Sequence, residues 1–316
     1  MRYFLSFLLL TFFCFAAPQK AVTFGEGGRL GDNILDYTHA KWISYKWGIP
    51  LLFRPFDNSE LFVFHDVEQH LTAENKGHYF QKYLKGFHEL SESIDTDTLY
   101  MVGHVPDAYE EYVFLGSHGL HIPVDWSDPY FRDMMRALIV PKQTLDLIHP
   151  PKDIISVALH YRDGGGFVWD TDTMKRGLPL RFPDISYYIK QLKRLIVMVG
   201  RQPIFVQIFT DHPEPEKIKK HFKSIFPQSH IEFACREFGN RHDANVLEDL
   251  YSMTNFDCLI RPMSHFSMTA SHLKDFMIEF YPTNGHWDNH RFLVDKVEVI
   301  ERGKWDRVAK KWNLKK

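Results

Sequence analysis

The chain has 316 residues, 44% hydrophobic and 25% charged, with a formal net charge of −2. That is globular composition, with core material for one large domain or two of ordinary size. No long basic run precedes the tail RVAKKWNLKK; a nucleic-acid groove needs a concentrated positive field, so nucleic acid is not expected as a partner.

The first residues, MRYFLSFLLLTFFCFAAPQK, carry one arginine, an apolar run over 3–17 and then a polar switch. The run is short for a membrane span and suits a signal-peptide core, with a short uncleaved anchor as the rival. Either assigns residues 1–17 to targeting and predicts export into the secretory pathway or membrane association. Cleavage would leave Cys235 and Cys258, neither in a Cys-x-x-Cys pattern, as buried thiols. Eighteen histidines are scattered; the pairs His118/His121 and His286/His290 read as surface residues, and no metal site is expected from them.

AVTF then predicts a strand, GEGGRLGD a glycine loop, NILDYTHAKWISYKWG a helix with Asp32 as N-cap, and IPLLFRPF a second strand. Between 58 and 150 the pattern predicts a helix in HYFQKYLKGFHELSES, a strand in TLYMVG and a helix in DPYFRDMMRALIV. Pro150 and Pro151 break the chain and mark a domain boundary. Beyond them strands and helices alternate: DIISVALHY, DISYYIKQLKRLIVMVG, QPIFVQIFTD, EPEKIKKHFKSIFP, HIEFA, NVLEDLYSMTN, DCLIR, SHFSMTASHL and DFMIEFY. Apolar strands alternating with helices predict doubly wound parallel sheets. The expected architecture is α/β, with two Rossmann-like domains, 18–150 and 151–316, facing across a cleft.

In such sheets ligands bind at the carboxyl ends of the strands, and here those ends carry chemistry. They read GEGGRLGD, HYRDGGG, FTDHPEP and RPMSHFS. Arg162 can pair with a diphosphate as a bidentate donor. Gly27, Gly28 and Gly31 let backbone N–H groups approach phosphate. Ser264, Ser267 and the N–H groups opening the helix around His265 form a second anion site. A Gly-x-Gly-x-x-Gly loop is broken at Leu30, and a Walker A sequence is absent. Two Asp-Thr-Asp pairs occur, Asp95/Asp97 in a polar turn and Asp170/Asp172 after FVW; the second is a candidate cation ligand for a metal-dependent alternative. The polar stretch 164–184 reads as a lid over a ligand.

Taken in order, these strand ends resemble the fucosyltransferase superfamily with a GT-B fold, meaning the α1,2- and α1,6-fucosyltransferases and the protein O-fucosyltransferases. GGRLGDNILDYTHAKWIS looks like its N-terminal glycine loop and helix, and HYRDGGG like its His-x-Arg-Arg-Gly-Asp motif. IFTDHPEP is similar to its strand ending in Ser/Thr-Asp, and EDLYSMTNFDCLIRPMSHFSMTASHL to its last motif. The resemblance covers the N-terminal loop and most of 154–273. It implies a GT-B-like α/β fold and metal-independent, inverting transfer from a GDP-sugar, usually GDP-fucose, to a glycan or glycoprotein hydroxyl. No bound cofactor is implied beyond that co-substrate.

By position, Arg162 would hold the β-phosphate and stabilise departing GDP, and Asp211 would face the nucleoside. Ser267 and Phe266 would line the diphosphate and base, and His160 would brace the loop. Gly28, Arg29, Gly31, Ser264 and His265 complete the donor set, with Arg162 and Asp32 as the catalytic candidates. Two positions depart from the motif: its second arginine is Asp163 and its final acid is Gly165. Such a loss of positive charge weakens donor binding or alters donor choice unless Arg261 or Arg29 compensates. Asp32, Asp163 and Asp170 are the candidate general bases. The rival readings are a non-catalytic nucleotide- or carbohydrate-binding relative and a metal-dependent enzyme using Asp170 and Asp172.

Overall fold

The apolar strand β1 (Lys20–Phe24) pairs parallel to β3 (Thr98–Val102), which pairs parallel to β2 (Phe80–Tyr83). This small sheet has the order β1-β3-β2. The computed structural model describes residues 20–25, 27–84, 90, 97–103, 123–164, 177–237, 244–289 and 291–315. The N-terminal leader, Asp95, Asp170, Asp172, His118, His121, His290 and positions 165–176 of the expected lid lie outside the described residues. Among the described residues no helix is long and apolar enough to cross a membrane.

Two expectations in the first half are corrected. IPLLFRPF is not a full strand: only isolated parallel bridges form, Val22 with Leu51 and Phe53 with His70. Pro50 and Pro55 lack the N–H donors that would extend the ladder. In the stretch expected to be a helix from His78 onward, residues 80–83 instead form β2, with all four residues exposed. Backbone pairing to the free side of β3 overrides the local helical spacing there.

Helix α1 (Leu30–Trp47) is buried on nearly every side through its first four turns and ends at Gly48 in a left-handed conformation, φ 63°. Short helices α2 (Val63–Val67) and α3 (Ala73–Lys76) follow, then α4 (Pro129–Leu138). Asp128 caps α4 by accepting from the N–H groups of Tyr130 and Phe131 at 3.0 and 3.1 Å.

The second half follows the predicted alternation. Strands β4 (Ile155–Tyr161), β5 (Ile204–Thr210), β6 (Ile231–Cys235), β7 (Cys258–Ile260) and β8 (Ile278–Asp288) are parallel. Between them run α5 (Ile185–Val199), α6 (Pro215–Ile225), α7 (Val246–Met253) and α8 (His265–Leu273). The long antiparallel pairing of β8 with β9 (Arg291–Glu301) and the hairpin of β10 (Gly303–Asp306) with β11 (Lys311–Leu314) were not legible in the sequence.

The large sheet has the order β6-β5-β4-β7-β8-β9. Strand order therefore reverses between β4 and β7, which opens a crevice at their carboxyl ends, where doubly wound sheets bind ligands. One apolar cluster runs through both halves of the chain, joining Val22, Ile34 and Phe53 to Phe205, Leu259 and Phe276. A second cluster, with Tyr188, Leu192 and Phe222, covers the opposite face of the large sheet.

Helix α1 reaches this crevice because Gly31 has no side chain. A β-carbon at Gly31 would lie 2.6 Å from the Phe266 amide nitrogen and 2.7 Å from its Cα, in the first turn of α8. Backbone atoms cannot swing aside as a flexible side chain can. Gly31→Ala is expected to destabilise the fold by about 1–3 kcal/mol, the usual cost of overpacking. Urea unfolding checks this, with Gly48→Ala as a control at an open left-handed position.

Candidate active site

A cavity of about 480 Å³ opens where the two halves meet. Its wall is built from the loop and first turn of α1, the ends of β4 and β5, and the first turns of α7 and α8. Gly28, Arg29, Gly31, Asp32, His160, Arg162, Asp211, Ser264, His265 and Phe266 all line it. Of the other sequence candidates, Gly27, Asp163, Arg261 and Ser267 do not; Ser267 is fully buried, and its hydroxyl donates to the Ser264 carbonyl at 3.3 Å.

The glycine loop is fixed by side chains of its own helix. Gly28 adopts φ 64°, and a β-carbon there would strike the Asp32 carboxylate. Asp32 is not the N-cap; Arg29 holds that position, and Asp32 lies one turn in. Its Oδ2 accepts the Arg29 N–H at 2.8 Å, the back-reaching half of a capping box. Asn33 adds two more ties, accepting from Gly27 N–H at 3.2 Å and donating to the Arg29 carbonyl at 3.1 Å.

Arg162 leaves β4 at the crevice. Its Nη1 donates to the Ser264 hydroxyl at 3.0 Å, and its guanidinium stands over the Phe182 ring with 5.0 Å to the centroid. The loop behind it is held by Asp211, at the end of β5. That carboxylate accepts from the N–H groups of Asp163 at 2.7 Å and Gly164 at 3.1 Å. Asp211 thus braces the arginine loop from inside the wall; burial raises its carboxyl, against the Arg162 charge and these two N–H groups. The left-handed Gly164, φ 87°, lets the loop turn onto it.

Asp32 joins the two halves. Its Oδ1 accepts from His265 Nδ1 at 2.5 Å and stands 3.7 Å from Arg181 Nη1. Arg181 Nη2 lies 3.2 and 3.3 Å from the two ring nitrogens of His265. Burial alone would raise the Asp32 carboxyl, but the His265 hydrogen bond and the neighbouring positive charge outweigh it and hold it well below the usual range. Burial and then Arg181 push His265 down to about 4, although Asp32 pulls the other way. At neutral pH the pair is therefore carboxylate and neutral imidazole.

The sequence missed Arg181, which lies in LPLRFPD without any spacing signal. The backbone places it: Met263, just before α8, donates its N–H to the Leu180 carbonyl at 2.9 Å. Asp57, Asn58, Gln143, Glu248 and Asp249 also line the cavity. Only the last two carried a signal, as the acidic start of α7. Arg236 donates to Asp249 at 2.5 Å, yet burial lifts that carboxyl to about 6. Arg261, expected as a compensating cation, is committed elsewhere: it is buried, donates to Glu279 at 2.8 Å and does not line the cavity. Two arginines, Arg29 and Arg162, thus face Asp32, Asp57, Asp211, Glu248 and Asp249.

His160 is buried beside Phe266, with ring centroids 5.7 Å apart, and its Nδ1 has no hydrogen-bond partner among the described residues. Burial, then the charges of Arg162 and Arg261, lower it to about 3. Between that value and the unfolded pKa near 6.5, unfolding takes up a proton, so stability falls as pH drops. His160 alone should contribute about 2 kcal/mol to the loss between about pH 7 and pH 5. Urea unfolding at the two pH values should show that part of the loss missing in His160→Gln.

Among the described residues no three His, Cys, Asp or Glu side chains come together as a metal site. No known family matches the chain as a sequence, and no curated protein matches it. Solved structures do. A mutant of Arabidopsis thaliana FUT1 in complex with GDP matches with a TM-score of 0.54 at 12% identity, over 87% of this chain and 72% of that one. NodZ α-1,6-fucosyltransferase co-crystallized with GDP gives 0.46 at 13%, over 90% and 98%. POFUT1 in complex with GDP-fucose gives 0.41 at 13%, over 82% and 95%. With its crevice between β4 and β7 and a second, smaller parallel sheet, the chain has the GT-B-like fold found among fucosyltransferase structures.

Proposed function

We propose that the chain is a glycosyltransferase that moves a sugar, fucose in the first instance, from a GDP-sugar to a hydroxyl of a glycan or glycoprotein. The observation that carries this reading is Arg162. It stands at the reversal point of the large sheet, beside the first turn of α8, on a loop braced by Asp211. In glycosyl transfer, negative charge grows on the departing diphosphate. A fixed guanidinium and the free N–H groups of a helix N-terminus lower the barrier because they need no reorganisation as that charge develops. The plant protein of similar fold was crystallised with GDP. That supports a guanine nucleotide as the donor's carrier.

The cavity wall also suits the base: guanine offers N–H donors on its Watson–Crick edge, and Glu248 offers a carboxylate in the first turn of α7. Transfer runs without a metal in this proposal, since arginine and helix N–H groups supply the charge that a cation would otherwise supply. The carboxylate-rich wall is the observation favouring a second reading, a nucleotide-binding relative that does not turn over.

With GDP in about hundredfold excess over its Kd and no added metal, the melting temperature should rise by several degrees. Arg162→Ala should weaken GDP about tenfold to a hundredfold, the cost of a lost charge-assisted hydrogen bond. Unchanged GDP affinity in that variant would refute the phosphate-clamp role. Release of GDP from GDP-fucose separates an enzyme from a binding relative, and loss of that release in EDTA would indicate a metal-dependent reaction.

A further inference from the structure

Resting on that reading, we propose that the imidazole of His265, oriented by Asp32, is the general base that takes the proton of the acceptor hydroxyl. Asp32 itself is spent. Its Oδ2 holds the Arg29 N–H, and its Oδ1 holds His265 Nδ1 with Arg181 close by. It is also held well below the usual carboxylate range, which makes it a poor proton acceptor.

His265 is differently placed. It lines the cavity, and Asp32 fixes which of its nitrogens carries the proton. With Nδ1–H donated to the carboxylate, the neutral ring carries its lone pair on Nε2. Arg181 Nη2 does not take that lone pair. A nitrogen nearly equidistant from both ring nitrogens, at 3.2 and 3.3 Å, would strike Cε1 if it lay in the ring plane, so the guanidinium lies over the face. The His265 side chain is only 3% exposed, and the ring nitrogen that Asp32 does not use is Nε2. A carboxylate behind one nitrogen and a lone pair at the other is the arrangement by which imidazoles accept hydroxyl protons.

The step balances without further reactants. The acceptor oxygen forms a bond to the anomeric carbon while the bond from that carbon to the β-phosphate oxygen breaks, and its electron pair leaves with GDP. The hydroxyl proton passes to Nε2, and Asp32 faces the resulting imidazolium. The charged groups facing the ring are Asp32 from α1, Arg181 from the turn before α5, and Arg162 from the end of β4. Burial, then the two arginines, keep the resting ring neutral. A weakly basic imidazole suffices because the hydroxyl becomes acidic as its oxygen bonds to an oxocarbenium-like carbon.

Two readouts test this on the full chain. Nitrogen-15 NMR of histidine-labelled protein, with His265→Gln for assignment, should show His265 neutral at pH 7, protonated on Nδ1 and bare on Nε2. A proton on Nε2, or on both nitrogens, would overturn the proposal whether or not the donor assignment is right. In transfer assays with GDP-fucose, His265→Gln should lower kcat about 10²- to 10³-fold while GDP affinity changes less than about threefold. Arg181→Ala, which removes the cation from the ring face, should move the acid limb of kcat/KM toward neutral pH. A kcat retained within a few fold, or GDP affinity falling in step with kcat, would reduce His265 to packing. Failure of the native chain to bind GDP refutes the donor reading instead, and leaves the tautomer measurement to decide the dyad.

Discussion

Helices α1 and α8 meet at their N-termini with no side chain between them, and the rest of the site depends on that approach. Gly31 permits it: any β-carbon would occupy the position of the Phe266 backbone. Two consequences follow from the one contact. The N–H groups that open each helix come to share one cavity, and Asp32, one turn into α1, comes within hydrogen-bond distance of His265 at the start of α8. A helix N-terminus favours negative charge, so the two ends set side by side suit a ligand that carries several.

The electrostatics of the wall oppose that ligand less than the tally of carboxylates suggests. Arg181 and Arg236 stand against Asp32 and Asp249, and Asp211 turns its oxygens to the backbone of the Arg162 loop. Arg162, Arg29, Asp57 and Glu248 line the cavity with these aspartates. The aspartate at 163, which replaces an arginine of the resembled motif, contributes its backbone N–H to Asp211 and thereby helps position Arg162.

Much of the second half was legible in the sequence because parallel strands buried on both faces are written as short apolar runs between turn residues. Runs such as ISVALHY and IFVQIFT can be little else. In the first half local pattern misled. Residues 80–83 have helical spacing but serve as an edge strand, and two prolines reduce the expected second strand to bridges. Neither outcome is encoded locally, since each depends on which backbone groups a distant strand leaves unpaired.

The chemistry divides in the same way. The sequence by itself determined the alternation of strand and helix, the carboxyl ends of the strands as a place for a ligand, and Arg162, Asp211, Ser264 and the glycine loop as its furniture. These follow from local composition and from the rule that strand ends carry the binding groups. Only the tertiary structure decided that Asp32 faces His265 across 233 positions of chain, that Arg181 lies over the imidazole, and that Arg261 is withdrawn into a buried pair with Glu279. Those roles rest on distances between groups far apart in sequence. Burial and the sign of the nearest charge then fix which of them are ionised.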